Sequence, residues 1–150
     1  HSFTGVDARA AISLYGAHKN VTSLSTICSP HLGLRTIDYG IGKSWRGDLR
    51  RMTRMFEVLG ISKGAAIEFS TPGMKDFNLV CEDAENVQYY SVGAKKNGSI
   101  MTKALMPGFD LITNKEFGDQ TDGMVRDVEA RWGEYLITFE NDHLEVMGFQ

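Results

Sequence analysis

Ser2 is the residue through which this chain could do chemistry. It lies in His1-Ser2-Phe3-Thr4-Gly5, a hydroxyl set between a histidine and small residues, with a helical pattern directly behind it. Such a stretch reads as a nucleophile elbow, a sharp strand-to-helix turn usually written G-x-S-x-G, whose first glycine would fall one residue before His1. A serine hydroxyl is a weak nucleophile by itself and needs a base and an oxyanion site. The rest of the chain must therefore supply a histidine, an acid and a scaffold.

The chain has four histidines. His1 adjoins Ser2 and is expected to point away across the elbow. His18 sits at a helix end beside Lys19, which suits an exposed position. His31, in a turn after a strand, could line a site or stabilise the turn. His143 follows the last strand, from where a base could reach Ser2 across the top of a sheet, and it is the preferred base. For the acid, Asp122 precedes Gly123 on a tight loop and can aim inward. Asp119, Asp127 and Asp142 are rivals, although Asp142 adjoins His143 and neighbouring side chains rarely face each other. Ser2, Asp122 and His143 follow one another in the order Ser…Asp…His, the order found in α/β-hydrolases.

The elements that would position these residues alternate. Val6 to Gly16 is a small, apolar-rich helix closing at glycine. Val21 to Cys28 reads as a buried parallel strand. Pro30 to Gly33 turns at its C-terminal end, the edge where α/β sheets place their sites. Asp48 to Leu59 is an amphipathic helix that either covers the core or, with its methionines, forms a lid for lipid. Short helices are expected to open at Ser62 and at Thr71-Pro72. Val87 to Val92 is a second strand stopped by Gly93, and Lys95 to Gly98 is a polar turn. Met101 to Glu116 carries no clear pattern. Val125 to Gly133 is expected to be helical and Tyr135 to Phe139 a last strand. Strands separated by helices predict an α/β sheet, mostly parallel.

Composition narrows the alternatives. With 150 residues, 42% of them hydrophobic, there is chain enough for one core. The net charge of −3 offers no basic excess for phosphates, which argues against a nucleic-acid binder. No apolar run approaches the ~18 residues of a membrane span. Cys28 and Cys81 are too few for a disulfide framework and suit buried, reduced thiols.

Six segments carry a family resemblance. His1-Ser2-Phe3-Thr4-Gly5-Val6-Asp7-Ala8-Arg9 resembles the elbow of true lipases, H-S-x-G-G followed by an apolar residue, x, A and R. Thr26-Ile27-Cys28-Ser29-Pro30-His31-Leu32-Gly33 is similar to their T-x-x-T-P-H-x-G, and Phe69-Ser70-Thr71-Pro72-Gly73-Met74-Lys75-Asp76-Phe77-Asn78 to their L-T-x-x-G-M-x-x-F-N. Val87-Gln88-Tyr89-Tyr90-Ser91 matches V-x-Y-Y-S. Asp122-Gly123-Met124-Val125 resembles N-D-G-x-V, and Asn141-Asp142-His143-Leu144-Glu145 resembles N-H-L-D-E. The resemblance is closest to fungal triacylglycerol lipases of the mitochondrial type, which are themselves similar to bacterial lipases.

That resemblance implies Ser2 as nucleophile, Asp122 as acid, His143 as base and the backbone N–H of Phe3 as an oxyanion donor. It implies an acylglycerol or other lipid ester as substrate, met at a lipid–water interface, with no organic cofactor, and it points to the mitochondrion. An acyltransferase or phospholipase on the same scaffold, or a non-catalytic lipid-binding protein, are the other readings. Residues 1–150 would be the C-terminal portion of a single α/β-hydrolase domain starting at the elbow, with earlier strands and the second oxyanion donor lying upstream. Losing one such donor costs about 10²–10³ in rate, so these residues alone are expected to be almost inactive. Two departures stand inside the motifs. Thr4 replaces the first glycine of the pair after the serine. Glu145 stands where bacterial relatives place an aspartate that binds structural calcium, which makes it this chain's calcium candidate, with a surface role as the alternative.

Overall fold

The computed structural model describes residues 1–42, 62–106 and 120–149. Its organising element is a three-stranded parallel sheet in the order β1-β2-β3, formed by Ser23–Ile27, Gln88–Ala94 and Glu134–Phe139. Ser23 pairs with Gln88 and Ile27 with Val92; on the other side Tyr90 pairs with Glu134 and Ala94 with Phe139. A register shift between Ser91 and Val92 interrupts the second ladder. There the buried Ser91 hydroxyl donates to the Trp132 carbonyl at 2.7 Å and accepts from the Trp132 N–H at 2.9 Å, replacing ladder bonds with side-chain ones.

Helix α1, Phe3–Ser13, lays Gly5, Val6, Arg9 and Ile12 against the sheet at one-turn spacing and closes before Gly16, whose φ of 79° needs no Cβ. Helix α2 spans Arg35–Gly42. Helices α3, Lys63–Glu68, and α4, Thr71–Val80, each start on a serine that accepts a backbone N–H at 3.2 Å, Ser62 from Ala65 and Ser70 from Gly73. Val6, Leu34, Phe69, Met74, Leu105 and Val125 build the larger part of the core; Ile12, Val87 and Tyr89 form a second cluster with Trp132 packed on it.

The α/β reading of the sequence holds: a parallel sheet with flanking helices is what the chain forms. Two local expectations are corrected. Strand β2 runs through Gly93 to Ala94. A Cβ at Gly93 would collide with the Tyr135 hydroxyl and the Asp127 carboxylate, so this glycine allows close packing and does not end the strand. Residues 125–133 form only a short 3₁₀ turn, Asp127–Ala130. The carboxylate of Glu129 accepts from the backbone of Arg35 and Arg126, and that of Asp127 from Arg131, Tyr135 and Thr138, so side chains hold this segment folded without a regular helix. The expected turn at Pro30 to Gly33 is present, with Gly33 at φ 85° too close to the Ser70–Thr71 backbone for any side chain, and helix α2, which the sequence pattern did not mark, follows it. The amphipathic segment at 48–59 lies outside the described residues, as does most of 101–116. Among the described residues no helix is long and apolar enough to cross a membrane.

Candidate active site

The three residues that the motifs single out converge at the C-terminal ends of the strands. Ser2 arrives beside β1, with its N–H donating to the Ile27 carbonyl at 3.0 Å. Its φ of 54° and ψ of −141° lie in a region that L-residues rarely occupy, the strain expected of a serine held at the tip of an elbow. Ser2 stands at the N-cap of α1, yet its hydroxyl makes no capping bond. It faces the imidazole of His143, with Oγ 3.0 Å from Nε2.

His143 sits on the turn after β3 and is almost wholly buried. Its Nδ1 lies 2.7 Å from Oδ2 of Asp122, so the carboxylate fixes the tautomer in which Nε2 is free to accept the serine proton. Asp122 is held in turn. Its other oxygen accepts the N–H groups of Met124 at 2.9 Å and Val125 at 2.8 Å, and its backbone carbonyl accepts the His143 N–H at 2.9 Å. Gly123 makes this loop possible: its φ is 98°, and a Cβ there would press on Met101 and Leu105.

The elbow accommodates Thr4 because the crowded position is the next one. Thr4 is exposed and its hydroxyl donates to the His1 carbonyl at 2.6 Å, whereas a Cβ on Gly5 would run into the side chain of Ser29. Phe3 is the first residue of α1, so its N–H has no acceptor within the helix. Its ring stacks on Phe69 with centroids 3.9 Å apart, which holds the start of the helix in place.

The other histidines take separate places. His1 does not turn away; its ring packs on that of His143, with centroids 4.4 Å apart, because the elbow folds the residue before Ser2 back over the base. His18 lies after α1, its Nδ1 3.1 Å from the Ile12 carbonyl. His31 is buried, with Nε2 2.9 Å from the Thr26 hydroxyl and Nδ1 3.4 Å from the Arg9 guanidinium. Burial, with the nearby Arg9 charge, lowers its pKa to about 3, so it is neutral. The buried Arg9 in turn stacks on Trp132 and donates to Asn78 and to the Cys81 carbonyl.

Among the rival acids, Asp127 is occupied by Tyr135, Arg131 and Thr138; burial pushes its carboxyl up, but these hydrogen bonds outweigh it and leave the pKa lowered. Asp119 lies outside the described residues. Asp142 is fully buried and faces away from the imidazole next to it. Oδ2 accepts from the N–H and hydroxyl of Thr102 at 2.9 and 2.8 Å, and Oδ1 accepts the N–H groups of Leu144 and Glu145 at 3.0 Å. Glu145 accepts from the Lys96 ammonium and, through its second oxygen, from the Asp142 N–H at 3.0 Å. Every carboxylate oxygen of this pair accepts a hydrogen bond, and the Lys96 ammonium already supplies a positive charge beside them. Lys96 and Thr102 escaped sequence reasoning, since a lysine in a polar turn carries no signal of a distant carboxylate partner.

Both cysteines are buried and free. The Cys28 sulfur, the Asp122 carboxylate and the His143 imidazole offer atoms within 4.8 Å of one another. Burial, reinforced by the negative Asp122, raises the Cys28 pKa far above neutrality, so the thiol keeps its proton and is a poor metal ligand.

Comparison with known proteins gives lipases and esterases as similar chains. No family model matches the chain. Triacylglycerol lipase 2 of Saccharomyces cerevisiae is 28% identical over 152 residues, which cover all of this chain and 45% of the yeast protein. Bacillus licheniformis lipase BlEst2 in its mature form superposes with a TM-score of 0.75 at 25% identity, over 97% of this chain and 57% of that one. A metagenomic carboxyl esterase superposes equally well, TM-score 0.75 at 20% identity, over 97% of this chain and 44% of its own. The chain thus spans about half the length of the relatives it matches. Within that span its fold is similar to that of lipases and esterases with an α/β-hydrolase fold.

Proposed function

We propose that the protein carrying this chain is a serine ester hydrolase acting on acylglycerols. One observation carries the reading: an unbroken relay from the Asp122 carboxylate through both ring nitrogens of His143 to the Ser2 hydroxyl, with links of 2.7 and 3.0 Å. The names of the similar proteins, lipases and a carboxyl esterase, support the substrate class.

In this mechanism His143 Nε2 takes the hydroxyl proton as Ser2 Oγ attacks the ester carbonyl. Asp122 stays ionised and stabilises the imidazolium. Charge developing on the carbonyl oxygen is met by the N–H of Phe3, at the positive end of α1. Collapse of the tetrahedral intermediate expels the alcohol, which takes its proton from His143. Water then enters, loses a proton to the same nitrogen, and releases the fatty acid from Ser2.

The test is turnover by the complete encoded protein on tributyrin, triolein and a phospholipid, with product analysis. Acylglycerol hydrolysis that disappears in Ser2→Ala is the expected result. Near-normal turnover by Ser2→Ala would remove Ser2 from the mechanism. Reaction confined to phospholipid, or transfer to an added alcohol in preference to water, would replace the proposed reaction by phospholipase or acyltransferase chemistry.

A further inference from the structure

The acid and the base of the relay stand on two separate loops, the first around Asp122 and the second from Asn141 to Glu145. A catalytic constellation tolerates little play: a misplacement of about 1 Å can cost ~10²-fold in rate. Among the described residues, Lys96 hydrogen-bonds to both loops. The N–H of Lys96 donates to the carbonyl of Thr121, next to Asp122, at 3.0 Å. The side chain of the same lysine runs to the other loop. There its ammonium bonds to Oε1 of Glu145 and lies 3.8 Å from Oδ2 of Asp142.

The partners of this ammonium flank the base. Asp142 immediately precedes His143 and Glu145 follows two residues later. Asp142 is fully buried, and the lysine side chain is only 11% exposed. Two carboxylates this close repel one another, and in a largely buried position that repulsion is weakly screened. They are held together by four N–H and hydroxyl donors to Asp142, by the Asp142 N–H on Glu145, and by the positive charge of Lys96. Removing the cation leaves the hydrogen-bond donors to Asp142 in place but leaves the repulsion between the two carboxylates without its opposing charge.

We propose that Lys96 is a positioning residue for the triad, an internal cation that offsets half the charge of the Asp142–Glu145 pair and clamps the loop of the base to the loop of the acid. It acts through Asp142 and Glu145 and touches no reacting atom. This assignment rests on the hydrolase reading above in so far as the triad is the thing positioned.

The experiment compares Lys96→Met, which keeps the stem and removes the charge, with Lys96→Arg, which keeps the charge, in the complete encoded protein. Two measurements are made: the kinetics on tributyrin, giving kcat and KM, and the low-field NMR signal of the proton shared by His143 and Asp122. Folding of each variant is checked by circular dichroism at the assay temperature. The expected result is a kcat lower by about 10–100-fold in Lys96→Met with KM changed less than about threefold, and loss of the low-field signal. Lys96→Arg should retain the signal and most of kcat. A folded Lys96→Met with wild-type kcat and signal would overturn the proposal, and so would a folded Lys96→Arg as impaired as Lys96→Met. Should Lys96→Met not fold, Glu145→Gln removes one carboxylate charge at a half-buried position. A weaker signal and lower kcat are expected, and unchanged values would overturn the clamp. If the wild-type protein hydrolyses no ester, the proposed function fails, and the low-field signal of the variants still decides the role of Lys96.

Discussion

The imidazole Nε2 of His143 stands 3.0 Å from the hydroxyl of Ser2 across 141 residues of sequence. Parallel pairing makes this possible. Strands β1 and β3 flank β2 and all three run the same way, so the elbow beside β1 and the turn after β3 emerge at one edge of the sheet.

The first prediction concerns the middle of the relay. Asp122→Asn keeps an oxygen for the Met124 and Val125 N–H groups, but its amide favours the wrong histidine tautomer. A fall in kcat of about 10⁴-fold is expected with the fold intact. Steady-state kinetics beside a circular dichroism spectrum would check it. Loss of less than tenfold would mean that Asp122 does not set the tautomer.

A second prediction separates the two elbow positions. Gly5→Ala places a methyl group into the side chain of Ser29 and is expected to destabilise the protein by about 1–3 kcal/mol. Thr4→Gly should cost only about 1 kcal/mol, from helix propensity and the lost bond to the His1 carbonyl. Urea denaturation of the two variants decides the order, and a larger effect at Thr4 would contradict it.

The loop of the acid supplies a third. Gly123 adopts φ 98° and adjoins Met101 and Leu105, so Gly123→Ala forces a strained backbone and a crowded contact at once. A stability loss of about 1–3 kcal/mol is expected, together with a fall in kcat as Asp122 shifts from His143. Unchanged kcat in the folded variant would show that the loop relaxes elsewhere.

The fourth is a pH dependence. His31 has its pKa lowered from 6.5 to about 3, chiefly by burial and then by Arg9. The unfolded chain therefore binds a proton between those values that the folded chain refuses. The stabilisation is fully present above pH 6.5 and is lost as the pH falls towards 3, by about 1.4 kcal/mol per pH unit between those values. His31→Gln should flatten this part of the stability curve relative to wild type. Parallel curves for the two proteins from pH 6.5 to 3 would mean that His31 titrates normally.

Much of this site was legible in the residues because its parts obey local rules. An elbow needs small neighbours and a helix behind it, so Ser2 and Gly5 announce themselves. A capping serine before an apolar helix, as at Ser62 and Ser70, also leaves a local mark. Asp122 stood among four candidate aspartates until motif resemblance and then distance separated it. Segments held by distant side chains were misread. Residues 125–133 look helical because their local propensities do, whereas Glu129 and Asp127 spend their carboxylates on Arg35, Tyr135 and Thr138. Gly93 looks like a stop because glycine usually is one, whereas here it makes room for Tyr135.

The sequence alone determined the α/β alternation, the order of serine, acid and histidine, and the glycines on which the turns depend. These are properties of a short stretch of backbone, set by sterics and periodicity within a few residues. Tertiary structure decided which carboxylate faces His143, that His1 packs on His143, and that the Lys96 ammonium meets Glu145 beside Asp142. Each of those is a contact between residues far apart in the chain or a choice between neighbouring side chains. Only the closing of the sheet and its loops brings such charges and rings within a few ångströms, where desolvation and Coulomb energy select one pairing over the others.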